Sequence, residues 1–214
     1  MNQMIITITM IMMKDVFYNM NTQVYNGYEY VDLGLPSGLK WATCNVGATS
    51  PEQPGLYFAW GETTGYTAEQ VKSRERVFSS RVYNAGSAAS ISADLTLEQD
   101  AAHANLGGNW RMPTKAEFEE LIDNCTGTWT TDYNGTGIAG RIITSKSNGN
   151  SIFLPASSYC MDSSVNYVGS YGYYWSASWS SSTGACNLRF LSGNAHVGDY
   201  LARCYGQPVR GVFK

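Results

Sequence analysis

No helical period of apolar residues appears after Ser157. From there to Lys214, Tyr, Ser and Gly alternate with apolar residues in the pattern of short strands and turns. Two helical signatures precede this stretch. "TLEQDAAHANLGG" (96–108) opens on Thr96 with Gln99 three residues on, a capping box in which each side chain accepts the other residue's backbone N–H. Its Gly107-Gly108 pair is a helix stop. "TKAEFEELIDNC" (114–125) repeats the device with Thr114 and Glu117. There Phe118, Leu121, Ile122 and Cys125 fall at i, i+3, i+4 and i+7, so one face is buried. The expectation is an α+β chain with two short helices, small antiparallel sheets and a long, irregular, loop-rich C-terminal half.

Strand signals fill the remainder. "YEYVDLGLPSGLKWATCNVG" (28–47) alternates around a Pro-Ser-Gly-Leu turn, and "GRIITSKSNGNSIFLPAS" (140–157) predicts a hairpin about the two-residue turn Asn148-Gly149. "PVRGVF" (208–213) reads as a last strand, and no repeat at solenoid or propeller period is present. Length fits one domain with an appendage. Residues 1–27 read as an N-terminal strand or arm, suited to assembly or homo-oligomer contact, because Ile6 and Ile8 alternate with Thr7 and Thr9. No basic n-region or small-residue cleavage site marks a signal peptide there, and the apolar run is too short to insert in a membrane. The domain proper spans 28–214.

Charge and motif exclude several function classes. A net charge of −3 with no Lys/Arg run gives no footprint for nucleic acid. The five cysteines, Cys44, Cys125, Cys160, Cys186 and Cys204, show neither CxxC spacing nor an even count, so no metal site or disulfide framework is readable. Nucleophilic catalysis needs Cys or Ser beside a His and an orienting acid. Cys186 or Cys204 with His196 and Asp199 is the nearest approach, and its spacing favours nothing. Glu119 and Glu120 are adjacent, diverge on a helix and read as a solvated face. "SNGNS" (147–151) is too short for a phosphate loop. No enzyme, cofactor or metal is expected. Trp41, Trp60, Trp110 and Trp175 stand in small-residue contexts and read as core; Arg111, Arg203 and Arg210 read as loop anchors bonded to carbonyls or carboxylates.

The C-terminal composition is the strongest remaining signal. Residues 162–206 hold no Lys, Glu, Gln, Met, Pro or Ile in 45 positions, whereas residues 1–160 hold 9 Glu, 5 Lys and 5 Gln. At that frequency the window holds about 5 of these three types, so chance gives none in under about 1% of cases before allowing for the choice of window. Ser, Tyr and Gly supply 21 of the 45, the composition of antibody-like surfaces, where Tyr gives rigid contact area and Ser adaptable hydrogen bonds.

The blocks "YVDLGLPSGLKWATCNVGA", "GLYFAWGET", "GGNWRMPTKAEFEELIDNC", "NSIFLPAS" and "GYYWSAS", followed by "NLRF" and "YGQPVRGV", resemble in content and order the Fibrobacter succinogenes major paralogous domain of gut Bacteroidetes and phage proteins. That resemblance, from about Tyr28 to Phe213, implies a C-type lectin-like fold. Some proteins of this kind are variable proteins of diversity-generating retroelements, whose reverse transcriptase miscopies template adenines so that AAC or AAT codons become NNC or NNT. Such codons never encode Lys, Glu, Gln, Met or Trp. The rule covers four of the six absent types, leaves the absence of Ile and Pro unexplained, and makes Trp175 and Trp179 template-fixed. The resemblance thus implies a non-enzymatic, receptor- or adhesin-type protein of a phage tail tip or bacterial cell surface, with a variable ligand-binding region at about 175–206. A fixed-sequence adhesin or structural virion or pilus module is the alternative.

Between the apparently fixed "NL.F", "R..G" and "VR" anchors, the expected variable face is Ser181, Ser182, Arg189, Leu191, Gly193, Asn194, His196, Gly198, Asp199, Tyr200, Leu201, Cys204 and Tyr205, with Leu188 and Phe190 turned inward. Its expected ligand is a protein or glycan on a cell surface. Calcium-dependent sugar binding is not expected, since "GQPVR" offers only a chance Gln-Pro and no Trp-Asn-Asp follows. No match to the catalytic block of formylglycine-generating enzymes is present, and fold alone licenses no activity.

Overall fold

A computed structural model describes residues 23–83 and 90–214. The Ile/Thr alternation at residues 6–9 and most of the expected arm lie outside them. Among the described residues, twelve strands, all paired antiparallel, form four small sheets. The first sheet runs in the order β1 (Gln23–Tyr25), β2 (Tyr28–Asp32), β3 (Lys40–Asn45), β12 (Arg210–Phe213). The second joins β4 (Cys125–Thr130), β5 (Gly140–Ser145) and β6 (Ser151–Pro155), and β7 (Tyr159–Met161) pairs with β8 (Ser164–Asn166) alone. The last sheet orders β11 (Ala195–Ala202), β10 (Gly184–Phe190), β9 (Gly172–Trp179). Gln23–Tyr25 pairs with Tyr28–Tyr30, so the boundary drawn near Asn26-Gly27 falls in a hairpin turn.

The described residues hold three α-helices, not two: α1 (Ala68–Lys72), α2 (Ala101–Leu106) and α3 (Lys115–Asn124). The Thr96–Gln99 box forms, but it caps a 3-10 turn, Leu97–Gln99. The chain then breaks at Asp100, whose carboxylate accepts the N–H groups of His103 (2.9 Å) and Met112 (2.8 Å) and starts α2 afresh. The 140–157 hairpin also forms, with a longer turn than the expected Asn-Gly pair. Ser145 Oγ accepts from the N–H groups of Ser147 and Asn148, and Ser145 N–H donates to the Asn150 carbonyl. The C-terminal stretch is mostly strand, correcting the loop-rich expectation: six of the twelve strands lie beyond Ser157.

The two larger of three apolar clusters among the described residues hold most of these pieces together. In the larger, Phe118 and Leu121 of α3 meet Trp41 and Val212 of the first sheet, Ile152 and Leu154 of the second, and Tyr174, Leu188 and Phe190 of the last. The other gathers Trp60, Trp110 and Trp175 around the small side chains of Ala101 and Ala102 on α2. Trp41, Trp60, Trp110 and Trp175 are all fully buried. The three arginines anchor as the sequence reading expects. Arg203 Nη1 donates to the Ile91 carbonyl (2.7 Å), and Arg210 is wholly interior. Arg111 grips Glu117 through both carboxylate oxygens (2.7 and 2.6 Å).

The Arg111–Glu117 pair sets a pH dependence. Burial pushes the Glu117 carboxyl up, but the guanidinium and the Thr114 N–H more than offset it and hold it below its ordinary 4.5. Because folding lowers this value, the stabilisation is whole above pH 4.5 and is lost as pH falls through the lowered value. Glu117→Gln keeps a capping side chain but loses the ionic grip. We expect it to cost about 1–2 kcal/mol at neutral pH and progressively less as pH falls below 4.5. Urea unfolding of both proteins across that pH range checks this; an equal cost throughout excludes the ionic origin.

Candidate ligand-binding face

The β9–β10–β11 sheet has one covered face and one that opens to solvent at one end. Its register places Tyr174, Leu188 and Val197 in one row and Gly172, Phe190 and Ala195 in the next; both rows face α3 and the larger core. Strand alternation therefore sends Trp175, Asn187 and Gly198, and beside them Tyr173, Arg189 and His196, to the opposite face. Trp175 and Asn187 are fully buried, and the Asn187 carboxamide finds no partner among the described residues. The Tyr173–Arg189–His196 row lies at the open end, with Arg189 half-buried and His196 exposed.

Five tyrosines gather around that row. Tyr159, on β7, lies 5.3 Å from Tyr173, 6.2 Å from Tyr167 and 6.0 Å from Tyr205 between ring centroids. Tyr171 closes the chain of rings, 5.7 Å from Tyr167 and 6.1 Å from Tyr173, and the Arg189 guanidinium sits 5.2 Å over its ring. Such a cation–π contact is worth about 0.5–1 kcal/mol at an exposed site and fixes the Arg189 side chain across the patch. Tyr167 and Val168 are each 62% exposed, an apolar outcrop on its rim. Burial pushes the Tyr159, Tyr173 and Tyr205 hydroxyls up, with neighbouring tyrosines adding to the shift at Tyr159 and Tyr173 and Arg189 opposing it at Tyr173. They stay protonated at neutral pH and can both donate and accept hydrogen bonds.

The expected face is divided. Arg189, His196 and Tyr205 join the tyrosine patch, while Leu191, Gly193 and Asn194 form the adjoining β10–β11 turn, closed by Leu191 N–H to the Asn194 carbonyl (3.0 Å). Ser181 and Ser182 occupy the β9–β10 turn at the other end of β10, about 20 Å away by strand rise. Ser181 builds that turn: its Oγ accepts the Gly184 N–H (2.9 Å). Leu191 and Leu201 are half-buried, Gly198 lies opposite Asn187, and Asp199 and Tyr200 are in β11 with Asp199 paired to Cys186. Cys204 is 8% exposed, below the surface. The anchors Asn187, Leu188, Phe190, Arg203, Val209 and Arg210 are all buried.

Four members of the patch, Tyr159, Tyr167, Tyr171 and Tyr173, were missing from the sequence-derived set. The i, i+2 spacing of Tyr171 and Tyr173, astride the start of β9, is the signal that could have found two of them. The remaining candidates have structural partners. Glu120 accepts from the Ser37 N–H and hydroxyl (2.8 and 2.6 Å), pinning the Pro-Ser-Gly turn, while Glu119 lies on the exposed helix surface near Lys115. All five cysteines are free thiols. Burial pushes Cys125 up to about 11 and raises Cys160 and Cys204 as well, the opposite of an activated nucleophile. No cluster of three or more His, Cys, Asp or Glu able to hold a metal occurs among the described residues. No helix among them is long and apolar enough to cross a membrane.

Compared with known proteins, the chain matches no family model, no curated protein and no solved structure.

Proposed function

We propose that this protein is a non-enzymatic binding protein that displays a diversified ligand face on a C-type lectin-like scaffold. The observation that carries the reading is the tyrosine patch with Arg189 and His196, sited where residues 162–206 lose Lys, Glu, Gln and Met together. Arg189, Asn194, His196 and Tyr205 are the positions free to vary there, against a wall of tyrosines. Buried Leu188, Phe190 and Trp175 hold the backbone whatever those side chains become. Tyr and Arg are the side chains that most often dominate binding energy at protein interfaces, and rigid tyrosines lose little entropy on contact. A protein or glycan on a cell surface is the ligand class, and a phage tail tip or bacterial surface the setting.

Deep sequencing of the gene and its downstream DNA across a growing population tests this. The expected result is substitution at adenine positions of a nearby near-identical repeat, concentrated at codons for exposed residues within about 175–206. A uniform gene with no second repeat removes the diversification and leaves a fixed-sequence adhesin built on the same patch.

A further inference from the structure

A cavity of about 190 Å³ lies on the other side of the same sheet, lined chiefly by Leu121 and Ile122 of α3, Ile143 of β5, and Leu188, Phe190 and Ala195 of the β10–β11 pair. An apolar cavity of about 150 Å³ takes up a benzene molecule, so this one has room for a single ring or a short alkyl chain carrying a small head group. Its lining is apolar but for one cation, Arg141. The missing side chain at Gly127 makes space for that guanidinium: a Cβ there would stand 2.8 Å from Arg141 Nε. Arg141 Nη2 donates to the Gly127 carbonyl (2.8 Å), whereas Nε and Nη1 are shielded from solvent and have no partner among the described residues. No ion pair to a carboxylate involves Arg141 among the described residues. Trp129, opposite Arg141 in the β4–β5 register, packs beside it and meets Phe190 edge-on.

A guanidinium held among apolar groups without a counter-charge is an unfavourable arrangement that an anion would relieve, and its field is strong where water is sparse. A purely structural arginine finds its acceptors within the fold, as Arg210 and Arg203 do here. We propose that this cavity binds a small apolar monocarboxylate, its ring or alkyl body against Leu121, Ile143, Leu188 and Phe190 and its carboxylate paired with Arg141. The carboxylate supplies the acceptor that Arg141 Nε and Nη1 lack, and the resulting charge-assisted hydrogen bond supplies the selectivity for an anion over a neutral molecule of the same shape.

Benzoate and its neutral isostere benzamide are the probes, titrated into the full-length protein by calorimetry and by two-dimensional NMR. The expected result is that benzoate binds, benzamide binds at least about tenfold more weakly, and R141M abolishes that preference. The shifted NMR resonances should belong to Leu121, Ile143 and Leu188, distinct from the tyrosine patch. Failure of benzoate to bind at millimolar concentration, equal affinity for the two probes, or an unchanged preference in R141M each overturns the proposal. The probe pair on the unmodified protein decides the matter even if R141M does not fold.

Discussion

Replacing Arg210 with Met should cost about 3–5 kcal/mol, a large part of the stability of a domain of this size. Arg210 is fully buried on β12, and its guanidinium ties the first sheet to the second. Nε donates to Asn45 Oδ1 (3.0 Å), Nη1 to the carbonyls of Ala42 (2.8 Å) and Thr43 (2.5 Å), and Nη2 to the Phe153 carbonyl on β6 (2.9 Å). Tyr174 of β9 reaches the same network from the third sheet, its hydroxyl accepting from Asn45 and donating to the Pro155 carbonyl. Burial pulls the Arg210 pKa down, and the oriented oxygens rather than a carboxylate keep the charge tolerable. Methionine fills similar volume but leaves four interior acceptors without a donor, each costing about 1 kcal/mol or more. Lysine keeps the charge but cannot reach three directions from one nitrogen, so Arg210→Lys should fall between the two. Denaturant unfolding measures the series. A loss under about 1 kcal/mol for the methionine variant would show that the network does not hold the sheets together.

The sequence carried α3 in full because two independent signals coincide there. The Thr114–Glu117 box marks its start, and Phe118, Leu121 and Ile122 mark its buried face. Helix α1 carries an equally good box, Thr67 with Gln70, yet buries only Val71, so no period announces it. The extent of the strands after Ser157 was hidden by composition. Serine is usually exposed, and a Ser/Tyr/Gly tract reads as loop. Yet β9 is buried on both faces, and its interior serines find fixed partners: Ser176 Oγ donates to the Cys186 carbonyl (2.7 Å), and Ser178 Oγ accepts the Lys115 N–H (3.0 Å). At the candidate face, the alternation of Leu188, Arg189 and Phe190 was legible because it is local. The approach of Tyr159 to Tyr205 was not, because a tertiary contact makes it: the backbone bridge between Cys160 and Gly206, through Cys160 N–H to the Gly206 carbonyl (2.7 Å), lays β7 against the C-terminal chain.

The second large effect falls on the alternation itself. Gly172→Ala should cost about 3 kcal/mol, at the upper end for an added methyl in a packed core. Gly172 stands opposite Phe190 in the register, and a Cβ there would lie 2.0 Å from Phe190 Cζ. The ring has little freedom to yield, being buried, stacked on Tyr174 (6.0 Å) and edge-on to Trp129 (6.5 Å). Phe190→Leu alone should cost about 1–2 kcal/mol through lost packing, but it removes the atoms that the added methyl would strike. The double variant should therefore be more stable than the sum of the single losses implies, by about 1 kcal/mol or more. Strict additivity would mean that Phe190 does not occupy the space over Gly172. The same pair bears on binding, because a strand that escaped the clash by slipping one residue would turn Arg189 inward and Leu188 outward. NMR of G172A separates the outcomes: strain without slippage keeps the Arg189–His196 and Arg189–Tyr173 cross-strand contacts, whereas slippage replaces them and dismantles the tyrosine patch with them.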